Sequence, residues 1–117
     1  NTPLQALVTL NDPQFAEASR VYAAKLIHST PDAADSDRLL IAFEEVTGRP
    51  PKDAEINALS SLLNDEKERY RNDSESAAKM ISVGESPTDG RIDAVEQAVW
   101  TQISTLLFNL SETLTRL

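Results

Sequence analysis

Apolar residues recur at i, i+3 and i+4 in one segment after another, and Gly, Pro or Asn-Asp closes each segment. That period is the 3.6-residue turn of an α-helix. No alternating Val/Ile/Thr run bounded by turns competes with it, and aromatics are only 5% of the chain. Thr2-Pro3 predicts a cap and a first helical residue, with Leu4, Leu7 and Val8 on one side. Asn11-Asp12-Pro13 ends that short helix and starts a second, on which Phe15, Ala18, Tyr22 and Leu26 share a face. Residues 30–36 read as a polar loop. Asp35 or Ser36 then caps a third helix carrying Leu39, Leu40, Phe43 and Val46. Gly48 is placed to end it in a left-handed conformation, and Pro50-Pro51 holds the next residues extended.

A fourth helix is expected from about Asp53 to Arg71, lined by Ile56, Leu59, Leu62, Leu63 and Tyr70 and broken by Asn72-Asp73. A short fifth carries Ala77, Met80 and Ile81 and ends at Gly84, before a loop over 84–92. Asp93 and Glu96 resemble a capping box with an acid in place of the usual hydroxyl. The last helix carries Val99, Ile103, Leu106, Leu107 and Leu110, with Trp100 at the edge of the stripe. The gaps suit bundled neighbours. The expected fold is therefore all-α, an irregular bundle of five to six helices. At 117 residues it is expected to form one domain, 1–117.

Composition removes several function classes. Cys is absent, so disulfides, thiolate-ligated metal, covalent haem and thiol catalysis are excluded. No apolar run approaches a membrane span, and no signal peptide is visible. The net charge of −8, concentrated between residues 31 and 90, argues against nucleic acid and anionic lipid as partners. The densest basic group, Lys67, Arg69 and Arg71, alternates with Glu66 and Glu68 and reads as a solvated helix face.

Candidate chemistry is sparse. His28, the one histidine, lies in the last turn of a helix, where a cation suits the dipole. Asp32, Asp35 and Asp37 lack the glycine of a calcium loop. Glu44 and Glu45 are adjacent and so diverge by about 100° on a helix. Gly84-Glu85-Ser86 lacks the second glycine of a nucleophile elbow. The sequons at Asn72 and Asn109 are short enough to arise by chance, and the second lies in an apolar helix. Trp100 suits a core or an interface. No catalytic residue, metal ligand or cofactor is assigned.

Four blocks carry a resemblance. They are Asn1-Thr2-Pro3-Leu4-Gln5-Ala6-Leu7 with Leu10-Asn11-Asp12-Pro13-Gln14-Phe15; Arg38, Ala42-Phe43, Gly48-Arg49-Pro50-Pro51 and Glu55; Val83-Gly84-Glu85-Ser86-Pro87; and Ala98, Trp100-Thr101, Leu106-Leu107-Phe108-Asn109-Leu110 and Glu112. In this order they resemble the C-terminal end of the planctomycete-type PSD domain of unknown function, over essentially the whole chain. Lys52 stands where such sequences tend to place a Ser or Thr cap, and Ser111 where an acid is usual. The resemblance implies an excised C-terminal piece of a large exported, periplasmic-type bacterial protein. Such proteins often carry a cytochrome-c-like domain upstream, but no C-x-x-C-H is present here. The family has no established activity, so it supplies no catalytic residues.

The expected function is a non-catalytic packing or interaction module whose partners are upstream domains of the parent. Completion of a parent enzyme site, with Asn1, Thr2, Gln5 and Asn11 facing a cleft, is the alternative, and an independent ligand-binding domain is a third reading. Leu4, Leu7, Val8 and Phe15 are the expected interface. A helix of about two turns needs packing to persist, and the same apolar patch could pair two chains as a homodimer in vitro.

Overall fold

A computed structural model describes residues 16–81 and 93–115, and among these it contains five helices and no strand. They are α1 (Ala16–Ser29), α2 (Asp35–Thr47), α3 (Asp53–Asn72), α4 (Ser74–Ile81) and α5 (Ala94–Thr115). The expected all-α bundle is the fold. The helix expected around Leu4–Val8, the end at Gly84 and the loop over 84–92 lie outside the described residues. So do all four expected interface residues, Leu4, Leu7, Val8 and Phe15.

Local chemistry sets the boundaries. Gly48 ends α2 at φ +80°, and its N–H donates to the Glu44 carbonyl at 2.9 Å, as a left-handed cap requires. Asp73 closes α3 and opens α4: its carboxylate accepts from the Ser76 N–H at 3.1 Å and from the Ser76 hydroxyl at 2.6 Å. Asp93 caps α5 by accepting from the Glu96 N–H at 3.0 Å. The other half of the expected box is missing, because the Glu96 carboxylate turns to Arg38 instead.

The expected cap of α2 is corrected. The residue before α2 is Ala34, in extended backbone with no side-chain cap, and Asp35 and Ser36 already lie within the helix. Asp35 is drawn onto Lys67 of α3, an ion pair that competes with capping. At α3 the preceding residue is Lys52, whose side chain has no acceptor to offer. Glu55 compensates by accepting from the Lys52 N–H at 2.8 Å.

The core is built around α5, which packs against each of the other four helices, while α2 also packs on α3 and α3 on α4. Residues 97–107 of α5 form an unbroken buried run. Within it Val99, Ile103, Leu106 and Leu107 are fully buried, as the stripe predicts, and so is Trp100, which the spacing set at the edge of that stripe. The polar side of the helix is buried too, and its hydroxyls find acceptors on their own helix. Thr101 donates to the Gln97 carbonyl at 2.7 Å, Ser104 to the Trp100 carbonyl at 2.6 Å and Thr105 to the Thr101 carbonyl at 3.0 Å. Hydroxyls that bond back one turn carry no unmet donor into the core.

Around α5, the inward face of α2 is Arg38, Leu39, Ala42 and Phe43, and that of α3 is Leu59, Leu63, Glu66 and Tyr70. The inward residues of α1 are Ser19, Arg20, Ala23, Leu26 and Ile27. Two expected core positions are therefore wrong. Leu40 is 42% exposed, because Leu39 takes the inward position and the next residue points about 100° away. Ala18 is exposed for the same reason, with Ser19 in its place, and Tyr22 is half-buried at the edge of the face.

Candidate functional site

Among the described residues, three polar clusters and a shallow cavity are places where chemistry could occur. The first centres on Arg38, which is 2% exposed. Its Nε donates to the Thr30 hydroxyl at 2.8 Å, Nη2 to the Thr30 carbonyl at 2.5 Å and Nη1 to Glu96 at 2.7 Å. The guanidinium also lies 5.3 Å from the centre of the Trp100 ring. One side chain thus joins the end of α1, α2 and the start of α5, and its three nitrogens are engaged within the fold.

The second cluster follows from Gly48-Arg49-Pro50-Pro51. The left-handed glycine and the extended prolines bring Arg49 back over its own helix, 5.1 Å from the centre of the Phe43 ring. Its guanidinium makes a two-pronged pair with Glu55, at 2.9 and 2.8 Å. The Arg49 bond holds the Glu55 carboxyl below its ordinary range, against a smaller opposing effect of burial. The cluster clamps the turn between α2 and α3.

The third lies between α3 and α5. Tyr70 is fully buried, and its hydroxyl accepts from Gln102 Nε2 at 3.0 Å and from Arg69 Nη2 at 2.8 Å. One turn earlier, Glu66 is 6% exposed. Its Oε2 makes no hydrogen bond among the described residues, and Arg69 Nε lies 3.6 Å away. Burial pushes the Glu66 carboxyl up, partly offset by Arg69. Burial likewise raises the Tyr70 hydroxyl. An acid and a phenol on one buried face are a general-acid motif in composition, but they are packed inside the bundle rather than set along a cleft.

The cavity, about 380 Å³, is lined by Lys67, Arg71, Asp93, Val95 and Glu96. Lys67 is paired with Asp35, Glu96 with Arg38, and Asp93 caps α5. Most of its charge is therefore already engaged.

The other singled-out residues are dispersed. His28 is exposed at the end of α1. Asp32 and Asp37 are exposed, while Asp35 joins Lys67. Glu44 and Glu45 are both exposed, and Glu45 accepts from the Tyr22 hydroxyl at 2.6 Å. Burial, and secondarily Glu45, pushes the Tyr22 hydroxyl above the usual tyrosine range. Asn109 is half-buried and donates to the Thr105 carbonyl at 2.9 Å. Gly84-Glu85-Ser86 lies outside the described residues. Among the described residues no three His, Asp or Glu side chains group as a metal site, and no helix is long and apolar enough to cross a membrane. Sequence reasoning missed the inward Glu66 and the pairing of Arg38 with Glu96; the helical register of Glu66 with Leu59, Leu63 and Tyr70 was the signal for the first.

The family model for PSD1, a protein of unknown function (DUF1553), matches residues 1–63. No curated protein and no solved structure gives a significant match to the chain.

Proposed function

The chain belongs to the PSD1 family, whose function is unknown, and from that premise we propose that it is a non-catalytic helical module that makes contacts for a longer protein. The observation that carries this reading is where the resemblance-bearing side chains among the described residues are engaged; Asn1, Thr2, Gln5 and Asn11 lie outside those residues. Arg38 and Trp100 hold the junction of α1, α2 and α5, and Arg49, Phe43 and Glu55 clamp the turn between α2 and α3. An active site would direct such groups toward a cleft, with a base and a nucleophile in reach of each other. The resemblance of the chain to C-terminal PSD segments supports a place at the end of a large exported bacterial protein, with upstream domains as partners.

The test is to express this chain and the remainder of the longer protein as separate polypeptides. Co-elution as one complex on size exclusion is expected. Independent elution at micromolar concentration would overturn the contact role.

A further inference from the structure

We propose that the outward face of α2 is a docking surface for a basic, amphipathic segment of a partner protein. The proposal rests on the contact role above and names the surface and the chemistry it takes.

The exposed residues of α2 are Ser36, Asp37, Leu40, Ile41, Glu44 and Glu45, which recur in pairs four apart and so form one stripe. The stripe is about 15 Å long at 1.5 Å per residue. Leu40 and Ile41 are 42% and 39% exposed and lie at its middle. Asp37 lies about one turn before them, and Glu44 and Glu45 about one turn after. No basic residue of α2 shares this face: its one cation, Arg38, is buried and bonded to Glu96. Neither leucine nor isoleucine is needed there by the core, which Leu39, Ala42 and Phe43 already fill.

Charge selects the occupant. An apolar centre with acids at both ends complements a segment with apolar residues flanked by Lys or Arg. Self-pairing is disfavoured, because antiparallel stacking of two such faces sets Asp37 of one chain against Glu44 of the other, and like charges in contact repel. Nucleic acid and anionic lipid are repelled by the same acids.

The probe is a synthetic leucine–lysine amphipathic peptide of about 14 residues, long enough to cover the stripe as a helix. It is titrated into the full 117-residue chain at low salt and followed by backbone amide NMR. Saturable shifts centred on residues 36–45 are expected. A matched leucine–glutamate peptide should cause none. Leu40→Gln/Ile41→Gln, and separately Asp37→Lys/Glu44→Lys, should each weaken binding by about tenfold, as loss of a central anchor or its charges does. The control Asp65→Lys/Glu68→Lys makes the same charge change on α3 and should leave affinity within about twofold. Shifts spread over the acidic surface, equal loss in the control, undiminished binding by both α2 variants, or no saturable binding would each overturn the assignment. Those results leave the association of the chain with its longer protein to be read separately by co-elution.

Discussion

Arg38 is the residue on which three elements converge, and its removal is the sharpest single-site test of how the fold is held. Arg38→Ala removes both bonds to Thr30, leaves Glu96 without its cation and opens a void beside Trp100, and should cost about 2–3 kcal/mol. Glu96→Gln keeps an acceptor at the same place but removes the charge, and should cost about 1 kcal/mol. Urea denaturation measures both, and losses within about 0.5 kcal/mol for both would show the cluster to be peripheral. Glu66 gives a pH signature of definite sign. Its folded pKa is raised by burial, so its contribution is fully present below the unfolded carboxyl pKa and is lost as pH rises through the folded one. Glu66→Gln should therefore be more stable than the parent chain at about pH 7, with the advantage shrinking as pH falls toward about 4. An advantage that grows on acidification would contradict the burial argument.

Helix by helix, the backbone plan was legible and the finer placement was not. The α3 limits, the Gly48 stop and the α5 stripe followed from spacing and punctuation, because those signals are local. Leu40 and Ala18 were misplaced because adjacent residues compete for one inward position, and tertiary packing decides between them. The buried Ser/Thr side of α5 was illegible for a different reason: its hydroxyls are polar by type but bond within the helix. The Arg38 cluster was not legible as a pair, since Arg38 and Glu96 meet only through the fold. Gly48→Ala should cost about 1 kcal/mol. Beyond its two chain neighbours, no heavy atom would lie within 4 Å of an added Cβ, so the cost is backbone strain at φ +80°. Leu107→Ala, within the central helix, should cost about 2–5 kcal/mol. Thermal melts distinguish these two losses readily.

At the scale of the molecule, among the described residues one helix serves as the shared core for four others, and Arg38, Arg49 and Glu55, which carry part of the family resemblance, hold that arrangement. On the reading proposed above, contacts are made by the outer surface. Hydrogen exchange on the chain alone and on the longer protein proposed to contain it tests this most directly. The account predicts equally slow exchange through residues 97–107 in both, with added protection on at least one surface helix in the longer protein. Identical exchange at every amide in the two would contradict it.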